Sequence, residues 1–130
     1  MSETVYLCGG INGLSDVDAT RWRTTAKALL KCETLDPMRR DYRGSEDQNI
    51  NSIVEGDLED IRDCDVVLVN AVYPSWGTAM EIVYATQAGK RVVAFTGGSR
   101  VSPWVRYHCE CVHSLQDAID KINGHFPILK

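Results

Sequence analysis

The sequence has few of the groups on which common hydrolytic and nucleotide-binding sites are built. Its three histidines, His108, His113 and His125, all fall after residue 107. No Gly-x-Ser-x-Gly elbow precedes them, so a Ser-His-Asp arrangement has little to work with. No Walker lysine occurs. The run Cys8-Gly9-Gly10-Ile11-Asn12-Gly13 lacks the GxGxxG spacing, and no acid ends a matching second strand about 20 residues further on. A net charge of -4 supplies no basic stripe for a nucleic acid polymer, although it leaves room for a local anion pocket. The longest apolar runs, near residues 65–72 and 91–95, are too short to span a bilayer, so no membrane partner is expected. The opening Met-Ser-Glu-Thr lacks the basic region and apolar run of a signal peptide. Five cysteines are an odd number for a disulfide framework, and reduced thiols in a cytoplasmic protein are the expectation. Cys109 and Cys111 lie between His108 and His113, but strand alternation would send neighbouring side chains to opposite faces. No metal or other cofactor is expected.

What is present is the composition of an ordinary globule, 44% hydrophobic over 130 residues, enough for one core and short for two. Residues 1–130 are read as a single domain. Residues 4–8 predict a first strand ended by Gly9-Gly10. A helix from about Asp18 presents Trp22, Ala26, Leu29 and Leu30 at helical spacing. Thr34-Leu35 predicts a brief second strand, closed by Asp36-Pro37, and a polar loop follows that carries Arg39, Arg40 and Arg43. Asn49 is placed to cap the next helix, whose apolar positions are Ile50, Ile53, Val54, Leu58 and Ile61. Strand 65–70 is apolar on both faces, as a central parallel strand should be. A helix over 77–88, a strand over 91–95, a short helix near 101–107, an edge strand near 109–112 and a last helix between Ser114 and Gly124 complete the order. The alternation predicts an α/β fold: a three-layer sandwich with a five-stranded parallel sheet, flavodoxin- or Rossmann-like.

Two acids stand out against this frame. Asp57 shares the apolar stripe of its helix, where a carboxylate is costly to bury without partners. It is either a stripe-edge group that reaches solvent or caps a neighbouring loop, or an acid required in a pocket. Glu81, in Gly77-Thr78-Ala79-Met80-Glu81-Ile82, is placed over the carboxyl end of the sheet, where open α/β folds bind small ligands. Near the start of its helix, the dipole and free amides would favour its charge. It reads as a favourable first-turn acid or as a carboxylate able to attack an anomeric carbon. Gly9 and Gly10 are either a tight turn or a wall against which a small ligand lies.

Val5-Tyr6-Leu7-Cys8-Gly9-Gly10, the Asp57 helix, Asp65-Val66-Val67-Leu68-Val69-Asn70 and Ser75-Trp76-Gly77-Thr78-Ala79-Met80-Glu81-Ile82 together resemble the nucleoside 2-deoxyribosyltransferase family. That family has relatives that hydrolyse the N-glycosidic bond of deoxynucleoside 5'-monophosphates. The resemblance implies a Glu81 nucleophile, Asp57 orienting the substrate or handling the leaving base's proton, and Tyr6 hydrogen-bonded to Glu81. It also implies that Gly9, Gly10 and Asn12 shape the first loop, that Ser75 lies at the sugar's 5' side, that Gly77 belongs to the substrate-binding set, and that Asp36, Met38 and Arg39 border the base or the 5' end. The implied ligands are a deoxynucleoside or deoxynucleotide and a free nucleobase, with no cofactor. The implied assembly is a homodimer or higher homo-oligomer, to which Trp76, Trp104 and Tyr107 are candidate contributors or else core.

The departures are specific. Ser75 and the arginines of the 39–43 loop point toward a 5'-phosphate, whereas Gly10 and Asn12 stand where the monophosphate hydrolases usually carry serine and arginine. The tail Phe126-Pro127-Ile128-Leu129-Lys130 lacks the terminal aromatic residue of some nucleoside transferases. Transfer of deoxyribose between bases is the favoured expectation, monophosphate hydrolysis the alternative, and a ligand-binding sensor without turnover the third.

Overall fold

A computed structural model describes residues 3–124; His125 and the tail Phe126–Lys130 lie outside the described residues. Five parallel strands, β1 (Thr4–Cys8), β2 (Glu33–Leu35), β3 (Val66–Asn70), β4 (Arg91–Phe95) and β5 (Glu110–Val112), form one sheet in the order β2-β1-β3-β4-β5. Helices α1 (Asp16–Leu29), α2 (Ile50–Asp63), α3 (Trp76–Gln87), α4 (Pro103–His108) and α5 (Leu115–Asn123) connect them. The strand order reverses direction between β1 and β3, which is the switch point where such sheets leave a crevice beyond their carboxyl ends.

Alternation along the strands divides the core in two. Val5, Leu7, Val66, Leu68, Val93 and Phe95 pack on one face with Trp22 and Ala26 of α1 and Ala118, Ile119 and Ile122 of α5. Tyr6, Cys8, Val67, Val69, Val92 and Ala94 pack on the other with Ile61 of α2 and Ile82 and Ala85 of α3. Tyr6 and Cys8 therefore face the layer that carries Asp57 and Glu81. Ser15, Ser75, Ser102 and Ser114 each accept a backbone N–H at the start of a helix, satisfying amides that have no partner within the helix.

Three local expectations are corrected. Leu29 is 44% exposed, and the inner face of α1 instead takes Ala19, Trp22, Arg23 and Ala26. The Arg23 guanidinium is buried because backbone oxygens consume it: it donates to Leu7 O, Ala19 O and Gly9 O. Asn49 does begin α2, but its side chain caps nothing; its Nδ2 donates back to Ser45 O at 2.7 Å. Ile50 and Val54 keep helical spacing yet lie exposed, so the stripe on α2 is only partly a core face.

Candidate active site

The loops after β1 and β3 meet at the switch point with little space between them. A Cβ on Gly9 would come within 2.9 Å of Trp22 Cζ2 and 3.2 Å of Asn70 Cβ, so this position requires glycine for packing as well as for any ligand. Arg23 fastens the same loop from behind through Gly9 O at 3.0 Å. Its charge is balanced by Asp36, 3.6 Å away, which also pairs with Lys27 and accepts from Met38 N. Burial lowers the pKa of Arg23 and Asp36 opposes that shift.

Glu81 projects from the second turn of α3 toward β1. The Tyr6 hydroxyl donates to its Oε2 at 2.5 Å, and the Cys8 thiol donates to its Oε1 at 3.5 Å. Both oxygens are thus held from one strand, two residues apart. The helix start does not supply the charge stabilisation expected of it, because α3 begins at Trp76 and has no acid in its first turn. Burial and then the nearby charge of Asp57 push the Glu81 carboxyl up to about 7, against the hydrogen bonds from Tyr6 and Cys8 that favour its ionised form. Tyr6 and Cys8 are both raised, by burial first and by the Glu81 charge second, so each stays a protonated donor at neutral pH.

Asp57 is raised by burial and opposed by Arg40, whose Nη2 donates to it at 3.3 Å. Arg40 also donates to Asp60 at 2.7 Å, and Arg39 grips Asp60 through two bonds at 2.7 and 3.0 Å. Burial works against the Asp60 charge, but the two guanidiniums outweigh it and hold that carboxyl low. Asp57 is left as the weakly paired acid of the cluster.

The remaining candidates are spread out. Asn12 and Asp57 line a cavity of about 120 Å³ with Ile11, Pro37, Arg40, Tyr42 and Arg43. Ser75 lines a different cavity of about 690 Å³, with Val72, Pro74, Thr78, Ser99, Arg100 and Val105. The buried Thr78 Oγ1 there has no hydrogen-bond partner. Gly10 lies beside Ser75, since a Cβ on it would lie 3.6 Å from Ser75 Cβ. Tyr6, Gly9, Gly10, Asp36, Met38, Arg39, Gly77 and Glu81 line neither cavity. Asp36 and Arg39 are engaged in ion pairs, and Gly77 faces open space. Cys8 and Arg23 were not among the expected site residues, and Arg40, expected only among the loop arginines pointing toward a phosphate, pairs with Asp57 and Asp60 instead. Cys8 carried a signal, its two-residue offset from Tyr6 on one strand. So did Arg23, which follows Ala19 by four residues and precedes Ala26 by three.

The sequence model of the nucleoside 2-deoxyribosyltransferase family matches residues 5–119. The chain belongs to that family. This nucleoside 2-deoxyribosyltransferase family member shares its fold with a 2-deoxyribosyltransferase from Bacillus psychrosaccharolyticus, at TM-score 0.74 and 16% identity, over 90% of each chain. A conserved protein from Enterococcus faecalis V583 aligns at TM-score 0.71 and 16% identity, over 97% of this chain and 100% of its own. The CMP N-glycosidase of Clostridium botulinum aligns at TM-score 0.61 and 14% identity, over 93% of this chain and 99% of its own. No curated protein matches the chain in sequence. The family places the chain among enzymes that process nucleosides and nucleotides. Among the described residues no helix is long and apolar enough to cross a membrane.

Proposed function

We propose that the protein is a nucleoside 2-deoxyribosyltransferase in which Glu81 forms a covalent ester with the sugar. The observation that carries this reading is the Glu81 carboxylate held by the Tyr6 hydroxyl at 2.5 Å beside the raised acid Asp57. In the first step a Glu81 oxygen bonds to C1' of a 2'-deoxynucleoside as the C1'–N bond breaks. The electron pair leaves on the base nitrogen, which takes a proton from Asp57. The transition state resembles an oxocarbenium ion, and a sugar without its 2'-hydroxyl tolerates that charge more readily. In the second step a nitrogen of another free base bonds to C1', its proton passes back to Asp57, and the Glu81 carboxylate is released. Two displacements at one carbon retain its configuration. The chemistry needs no cofactor.

Hydrolysis of a deoxynucleoside 5'-monophosphate is the second reading, favoured by the Ser75 hydroxyl at the start of α3. Against it, Arg39 and Arg40 are already committed to Asp57 and Asp60, which leaves less positive charge for a phosphate. The working unit in our reading is a homodimer or higher homo-oligomer. Trp76 is 89% exposed at the start of α3, with Met80 and Tyr84 along the same helix and Trp104 and Tyr107 on α4 beside it. Exposed aromatic residues in such number suit a protein interface. The cavity beside Asp57 is also smaller than the roughly 300 Å³ at which ligand pockets usually begin, as expected if a second copy completes it. Five free cysteines suit a reducing, cytoplasmic setting.

Chromatography of reactions with one deoxynucleoside or its 5'-monophosphate, with and without a second free base, tests the assignment. A new deoxynucleoside that forms only with the acceptor base, and not with Glu81→Ala, is the expected product. Base release from the monophosphate alone moves the assignment to hydrolysis. Saturable binding without product leaves a sensor.

A further inference from the structure

We propose that Cys8 is a positioning residue that presents Oε1 of Glu81 as the attacking oxygen, while Tyr6 holds Oε2 as the oxygen that becomes the ester carbonyl. The inference rests on Glu81 being the nucleophile, as set out above. Tyr6 and Cys8 lie on the same face of β1 and divide the two carboxylate oxygens between them, at 2.5 and 3.5 Å. The two donors differ in kind. A phenol at that distance is a strong donor and draws charge onto Oε2. A thiol is a weak donor to an oxygen, so it fixes the direction of Oε1 while leaving its electron density available.

The thiol is fully buried and remains protonated beside Glu81. In the first displacement the Oε1–C1' bond forms, the C1'–N bond breaks and its pair stays on the base nitrogen. The Cys8 proton is not transferred. Oε2 becomes the carbonyl oxygen of the ester and keeps its bond from Tyr6. In the second displacement the acceptor nitrogen bonds to C1', Oε1 leaves with the C–O pair, and the acceptor's proton returns to the Asp57 carboxylate that protonated the first base. The groups whose charge or hydrogen bonds act on Glu81 are Tyr6 and Cys8 from β1, Asp57 from α2 and Arg23 from α1.

The test compares the parent protein with Cys8→Ala and Cys8→Ser. One readout is titration of the Glu81 carboxyl by isotope-edited infrared spectroscopy, which requires no turnover. The other is the pH dependence of base release from a deoxynucleoside. In Cys8→Ala the lost donor raises the carboxyl titration by roughly half a pH unit, and the acid limb of base release moves with it. Cys8→Ser restores the titration to the parent value or below. It still releases base more slowly than the parent, because a hydroxyl binds Oε1 more tightly than a thiol does. An unmoved carboxyl titration in Cys8→Ala overturns the proposal, as does a Cys8→Ser protein that turns over faster than the parent. If no protein releases base, the assigned function has failed; the infrared titration then still shows whether Cys8 holds Glu81.

Discussion

Glu81→Gln should make this protein more stable at alkaline pH and leave it unchanged in acid. The carboxyl titrates near 7 in the folded chain against 4.5 for the free group. A carboxyl raised by folding stabilises in its protonated form; that contribution is complete below about pH 4.5 and is lost as the pH climbs through 7. At about 1.4 kcal/mol per pH unit the loss above pH 7 is roughly 3 kcal/mol. Glutamine is nearly the same shape and cannot ionise. Its amide oxygen still accepts from Tyr6, and its amide nitrogen faces the Cys8 sulfur, a weak acceptor. Urea unfolding of the two proteins across pH isolates the effect, since the other titrating groups cancel in the difference. Glu81→Gln should gain roughly 3 kcal/mol at about pH 8, or roughly 10 °C in Tm for a chain of this size, and almost nothing near pH 4.5. An equal difference at both ends of the range, or a less stable variant at about pH 8, would refute the claim that the Glu81 charge is held at a cost.

The same carboxyl sets the acid limb of activity: kcat/KM for base release should rise with pH as Glu81 ionises and fall again as Asp57, the proton donor, loses its proton, and a profile without an acid limb contradicts the assignment of Glu81 as nucleophile. Asp60→Asn should destabilise the chain by about 1–3 kcal/mol in urea, because Arg39 and Arg40 then share a neutral partner; an unchanged midpoint shows that these ion pairs contribute nothing. Trp76→Glu should shift the protein to monomer in sedimentation velocity and lower base transfer with it, and a variant that stays oligomeric places the contact elsewhere.

The sheet was readable because parallel strands buried on both faces leave a continuous apolar signature, as in Val66–Asn70, and because Ser114 and Gly124 bracket the last helix. Exposure of Ile50, Val54 and Leu29 was not readable, since helical spacing marks an apolar stripe without saying what covers it. Trp76 and Met80 show the same limit on α3. The buried Arg23 is the reverse case: periodicity assigns cations to the surface, and only the folded loop after β1 supplies the carbonyls that satisfy this one. Within the candidate site, the Tyr6–Glu81 contact follows from strand and helix order plus the family resemblance. The raised pKa of Glu81 does not. It depends on burial of the carboxyl among folded elements and on the nearby charge of Asp57, left weakly paired while Asp60 binds both arginines.

Mass spectrometry of acid-quenched reactions with a 2'-deoxynucleoside, followed by peptide mapping, addresses the covalent step most directly. Glu81 should carry one 2-deoxyribosyl group within the first turnover, and the group should disappear when a free base is added. Base release that proceeds with no modification at Glu81, or with the sugar on another residue, would contradict the account.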